Sequence, residues 1–213
     1  DFMPVERQGS NPTLSHEIHR VIRCDGGSIE VQVTFSPRMN YARSSTRIKP
    51  IKEGVVARGG HQVLSLCTQI PLTITKDNAS TQFILREGEE AIFVVAYGHA
   101  RPQCLASYRT AQKLKYTREF WEDMVSSVAY EGLWREEVIR SFLVLNLMLY
   151  EPTGAIVASP TCSLPESNGG TRNWDYRYSW LRDSSFVMEA LYRMGHTKGA
   201  GRYLEWLLHQ CKV

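Results

Sequence analysis

The sequence predicts a chain of two classes, an antiparallel β-sandwich followed by helices, on three observations. Apolar and polar residues alternate strictly from Ile29 to Phe35, short strand-like runs separated by turn signals continue to Tyr97, and the period becomes helical after Pro102. Regular short strands with turns between them point to two packed antiparallel sheets.

The elements follow in order. Glu17 to Arg23 reads as a strand, and Ile29, Val31, Val33 and Phe35 alternate with Glu30, Gln32 and Thr34 in the next. The Asp25-Gly26-Gly27 turn between them predicts a hairpin. Further strands are expected over 62–68, 72–75, 82–86 and 91–97, with turns at Gly59-Gly60, Lys76-Asp77-Asn78 and Glu87-Gly88-Glu89. From about Ser107 to Ser127, Leu114, Phe120, Trp121, Met124 and Val125 fit a helical period. A second helix is expected from Arg135 to Tyr150, and its later part is apolar on nearly every side, which calls for burial all round. Residues 151–176 carry Pro152, Pro160, Pro165, Gly154, Gly169 and Gly170 and read as a long connection of the kind that carries function. A third helix is expected from Arg182 to Met194, stopped by Gly195. A fourth is capped by Thr197 and places Ala200, Leu204, Leu207, Leu208 and Cys211 on one face.

Composition narrows the function classes. The 213 residues are 43% hydrophobic and 22% charged, the range of globular domains. A net charge of +3, from 25 basic and 22 acidic residues, is too even to suggest nucleic acid or an anionic membrane as partner. No apolar run reaches the ~18 residues of a membrane span. The cysteines Cys24, Cys67, Cys104, Cys162 and Cys211 are odd in number and form no C-x-x-C pair, so buried free thiols in a reducing compartment are expected. The start at Asp1 and the stop at Val213 read as cuts within a longer protein, so the expected cytoplasmic location leaves a signal peptide open.

Phosphate-binding glycine loops and a G-x-S-x-G nucleophile elbow are absent from the sequence. Of the histidines His16, His19, His61, His99, His196 and His209, the first two lie three apart near a strand and read as surface residues rather than metal ligands. The segment Trp174 to Asp183 packs Trp174, Tyr176, Tyr178 and Trp180 among Asp175, Arg177, Arg182 and Asp183. A pyranose presents apolar C–H faces to aromatic rings and hydroxyls at its edge. A carboxylate accepts from two such hydroxyls and a guanidinium donates through its planar fork. Adjacent Arg182 and Asp183 can share one sugar only near the first turn of a helix, since neighbours point about 100° apart. The bland alternative is a packed loop-to-helix junction with an internal Arg–Asp ion pair. Glu166, Asp175, Asp183 and Glu189 are the nearest acids, and Ser163-x-x-Glu166 has the form of a capping box.

Glu151 to Thr161, Ser163-Leu164-Pro165-Glu166, Gly169-Gly170 and Arg172 through Asp183 resemble glycoside hydrolase family 15, which includes glucoamylases, glucodextranases and some trehalases. Val138-Ile139-Arg140-Ser141 resembles the start of that family's (α/α)6 barrel. Asp1 to Val5, Val21 to Arg23 and Phe35 to Arg38 resemble its N-terminal β-sandwich. The resemblance implies a sandwich over 1–105, a helical linker over 106–132 and the first helices of an incomplete barrel over 133–213. It implies that Arg182 and Asp183 bind hydroxyls of a non-reducing-end glucose, with Tyr176 and Trp180 lining the subsite. Trp174, Arg177 and Tyr178 would support or pack. The family's inverting acid and base are glutamates expected beyond Val213, so no residue here takes a catalytic role, and Glu151 and Glu166 belong to the loop. The partner implied is an oligosaccharide or disaccharide with a terminal α-linked glucose, with no cofactor, metal, nucleic acid or membrane. The chain alone is expected to be inactive and poorly soluble, with apolar faces of helix 135–150 and of Leu204 and Leu208 uncovered. A disaccharide phosphorylase of similar plan and a non-catalytic carbohydrate-binding module are the competing readings.

Overall fold

The computed structural model describes residues 1–8, 11–98 and 104–211. Pro102, where the sequence pattern changes, lies outside the described residues, as do His99 and Val213. The chain divides into two compact units, Asp1–Arg118 and Glu119–Val213. A β-rich region followed by four helices is observed.

The first unit holds β1 (Val5–Gln8), β2 (Asn11–Leu14), β3 (Glu17–Arg23), β4 (Ser28–Phe35), β5 (Arg47–Ile51), β6 (Gly54–Gly59), β7 (Gln62–Cys67), β8 (Thr73–Ile74), β9 (Ala79–Arg86) and β10 (Glu90–Tyr97). A five-stranded sheet runs β3-β10-β7-β6-β5 and a three-stranded sheet runs β4-β9-β8, while β1 and β2 pair with each other. All these pairings are antiparallel. Val55, Leu66 and Phe93 from the larger sheet pack with Leu85, Val31, Val33 and Phe83 from the smaller, and the Phe83 and Phe93 rings meet at 6.4 Å. Burial of each such side chain stabilises by roughly 1.5–3 kcal/mol.

The hairpin expected of β3 and β4 does not form. β3 pairs with β10 and β4 with β9, so Asp25-Gly26-Gly27 carries the chain from one sheet to the other. The turn at Glu87–Glu89 makes the same crossing beside it, bound by Cys24 N–H to Glu89 O and Glu87 N–H to Gly27 O. Alternation fixes which face of a strand is buried but not which strand it pairs with. β5 and β6 went unpredicted: Pro50 argues against a strand by lacking an N–H, yet β5 is an edge strand and tolerates it. Gly54, at φ 116°, is required there, because a Cβ would stand 1.9 Å from Leu66 O.

A 3-10 turn (Leu105–Tyr108) leads into α1 (Thr110–Ser126), within which the boundary between the units falls. The second unit continues with α2 (Arg135–Leu147), β11 (Leu149–Tyr150), β12 (Ala155–Ile156), α3 (Leu181–Arg193) and α4 (Thr197–Gln210). Phe142 of α2 and Leu191 of α3 form its core with Val128, flanked by Ile139, Leu145 and Val187. α2 therefore buries one side, and Val144 and Leu147 remain exposed, against the burial on all faces that its composition suggested. It also stops before Leu149 and Tyr150, which pair with Ile156 and Ala155 in a small hairpin. Gly154, at φ 83°, closes that hairpin where a Cβ would meet Arg202 O of α4 at 2.7 Å, and Arg202 pairs with Glu151 at 2.7 Å. Thr197 is the first residue of α4, not its cap; His196 holds that position and makes no side-chain cap bond. The buried stripe of α4 runs through Gly199 and Tyr203, whereas Leu204, Leu208 and Cys211 are exposed.

Candidate functional site

The connection over 151–180 is not structureless. After the β11–β12 hairpin its two halves run back along each other. Ala158 N–H donates to Tyr178 O, Ser159 N–H to Tyr176 O, Ser163 N–H to Trp174 O and Glu166 N–H to Arg172 O. Cys162 and Asp175 form a bridge between the halves. Backbone groups of a folded loop need partners, and here the loop supplies its own.

This double-backed loop delivers Trp180, in an extended conformation, to the start of α3. Arg182 and Asp183 fall in the first turn, the one place where neighbouring side chains both reach a common ligand. The Arg182 Nη2 and Asp183 Oδ2 atoms lie 3.2 Å apart, with side chains 73% and 38% exposed, so both still face solvent. The first-turn position of Asp183 also suits the positive end of the helix dipole. The Arg182 guanidinium lies 5.9 Å from the centre of the Trp180 ring, at cation–π range. Tyr176 packs against the same ring at 5.9 Å and Trp174 meets it edge-on at 6.2 Å. Tyr176, Trp180, Arg182 and Asp183 are thus gathered in one patch that joins aromatic faces, a donor fork and a carboxylate.

The residues around the patch have defined partners. Arg177 donates from its backbone N–H and its side chain to Asp175, at 3.0, 2.9 and 2.7 Å. These bonds hold the Asp175 carboxyl well below the usual carboxylate range, so it carries no proton to give at neutral pH. Ser163 and Glu166 form no helix cap, since no helix begins there. Ser163 Oγ instead accepts from Trp174 N–H at 2.7 Å, and Glu166 Oε1 accepts from Trp174 Nε1 at 2.9 Å. The capping-box form did signal a side chain that binds backbone, but the partner came from across the loop. Tyr178 is exposed, and its backbone carbonyl ties the loop.

In the β unit, His19 departs from the surface role that the sequence suggested. It is fully buried, with Nδ1 2.9 Å from Thr110 Oγ1 and Nε2 2.9 Å from Glu17 Oε2. Lys113 reaches Glu17 at 2.5 Å and Glu6 at 2.6 Å. Burial pushes the Glu17 carboxyl up, but hydrogen bonds from His19 and Lys113 outweigh it and the net shift is downward. Burial likewise lowers Lys113, and bonds to Glu17 and Glu6 turn the net shift upward. His16 is exposed and stacks edge-on with Tyr97 at 6.3 Å. Cys24 and Cys67 are the buried thiols expected, whereas Cys104, Cys162 and Cys211 are exposed.

Residues 132–213, which include the whole loop and patch, match the family model for glycosyl hydrolases family 15. This part of the chain is similar to that family. It is 32% identical over 204 residues to a trehalase of Thermoplasma acidophilum, covering 96% of this chain and 35% of that protein. It is 33% identical over 202 residues to a trehalase of Mycolicibacterium smegmatis, covering 90% and 30%. A trehalase 1 of Sulfolobus acidocaldarius is 30% identical over 183 residues, covering 84% and 31%. The chain spans about a third of the length of these curated relatives.

Proposed function

We propose that this chain is part of an inverting glycoside hydrolase that releases glucose from a non-reducing end, with trehalose as the first substrate to test. Arg182 and Asp183 bind hydroxyls of the terminal glucose, and Tyr176 and Trp180 line the subsite. The observation that carries this reading is the exposed Arg182–Asp183 pair in the first turn of α3, set against the Trp180 ring. The name shared by the relatives favours trehalose over a longer α-glucan. Helices α2 to α4 are proposed as early members of an (α/α)6 barrel.

Inversion needs one carboxylic acid to protonate the glycosidic oxygen and one carboxylate to activate water, about 6.5–9.5 Å apart. The carboxylates of the loop and of the first turn of α3 are engaged otherwise: Asp175 with Arg177, Glu166 with Trp174 and Asp183 with Arg182. They suit binding and positioning. The acid and base are proposed to be glutamates in the part of the relatives that this chain does not span.

Asp183→Asn tests the site in an active protein that contains this chain. It keeps the shape and removes the charge. With trehalose, kcat/KM is expected to fall at least ~10-fold, about 1.4 kcal/mol of lost transition-state binding, at an unchanged melting temperature. Unchanged kinetics with lowered stability would return the segment to a packed junction.

A further inference from the structure

We propose that Glu166 is a positioning residue that sets the sugar-facing orientation of Trp180 through Trp174, an inference that rests on the sugar reading of this loop. The Trp174 backbone is pinned on both sides by Ser163, whose Oγ accepts from the Trp174 N–H and whose N–H donates to the Trp174 carbonyl, each at 2.7 Å. That fixes the main chain and leaves the ring free to change rotamer. Trp174 is 42% exposed, so packing alone holds its ring loosely.

Glu166 supplies the second fixed point. Its Oε1 accepts from Trp174 Nε1 at 2.9 Å, a charge-assisted bond. Arg172 steadies the other carboxylate oxygen at 3.5 Å, and the Glu166 backbone N–H donates to Arg172 O at 3.2 Å. A planar ring held at its backbone and at its far nitrogen has one orientation. In that orientation Trp174 stands at 90° to Trp180 with centroids 6.2 Å apart.

Trp180 needs such a neighbour. Its own Nε1 donates to Asp175 O at 3.4 Å, at the weak end of hydrogen-bond geometry. Its ring is set mainly by what touches it: Trp174, Tyr176 and the Arg182 guanidinium. Stacking against a pyranose requires a flat, pre-oriented face, because ordering a loose side chain on binding subtracts from affinity. Glu166 therefore acts at two removes from the sugar, and Ser163 assists it.

The test uses an active protein that contains this chain, labelled with 15N at its indoles and titrated with trehalose and with glucose. In Glu166→Ala, the Trp174 and the Trp180 indole signals are both expected to move, and sugar affinity to fall ~5-fold, the scale of one hydrogen bond. Glu166→Gln, whose side-chain carbonyl still accepts, should restore the Trp180 signal and bring affinity within ~2-fold of wild type. Trp174→Phe should match Glu166→Ala, and adding Glu166→Ala to it should change nothing further. A Trp180 signal that stays in place in Glu166→Ala, or equal losses in the Ala and Gln variants, with sugar still binding the wild type, would overturn the relay. A wild type in which neither sugar moves any indole signal would overturn the sugar reading and the relay's role together.

Discussion

In the β unit the inward-facing apolar side chains of two sheets fill one closed space, with Ile18, Ile29 and Ile84 left outside it, whereas in the helical unit many large apolar side chains lie at the surface around a small core. Val55, Leu85 and Phe93 are all nearly fully buried. Leu133, Val144, Leu147, Leu181, Phe186, Leu204 and Leu208 are exposed, although Phe142 and Leu191 make a small core beneath. Two sheets facing each other bury one face of each, so a sandwich closes with few elements. Helices bury stripes, and a handful of them cover only part of one another. The difference also separates roles. Changes in the β unit should read out as stability, and, on the proposed sugar reading, changes in the loop and at the start of α3 should read out as binding.

The largest effect expected is Phe93→Ala. It opens a cavity between the sheets and should cost about 3–5 kcal/mol in urea unfolding of the β unit. A loss below ~1 kcal/mol would mean that the core is less closed than its burial indicates.

Next comes acid. The folded pKa of Glu17 lies below its ordinary value of 4.5, so its contribution to stability is present above that pH. It is lost as pH falls through the folded value. Lys113 lies above 10.5, so its contribution is present below that pH and is lost as pH rises through the folded value. Urea midpoints of wild type and Glu17→Gln should therefore differ most near neutrality and converge below pH 4.5. A gap that stays constant into acid would remove the ion pair from the account.

The smallest stability effect belongs to the helical surface. Leu204→Lys and Leu208→Lys, at half-exposed positions, should change unfolding free energy by no more than ~0.5 kcal/mol. They should also reduce self-association in sedimentation velocity, because each breaks an apolar surface stripe. A large stability loss would place these side chains in a core.

Much of both units is legible locally. The alternation of Val31, Val33 and Phe35 marked the inward face of β4, although Ile29 at its start is exposed. The concentration of Tyr176, Trp180, Arg182 and Asp183 marked the patch, because the residues that form it are sequence neighbours. The Gly195 stop was legible too: it takes φ 84°, a conformation that glycine adopts without strain. Other features depend on residues far apart. Glu17, His19 and Lys113 meet only through contact between the first turn of α1 and β3, and nothing in the local pattern distinguishes a buried histidine from a surface one. Glu166 and Trp174 meet only because the loop doubles back.

The sequence by itself determined periodicity, turn positions and the chemical content of the loop, since these depend on residues a few positions apart. Only the tertiary structure decided that β3 pairs with β10 rather than β4, that His19 is buried, and that Glu166 holds the Trp174 ring. Side-chain alternation is the same for any partner strand. The choice among partners is settled by long-range packing and by the need of every buried polar group for a bond.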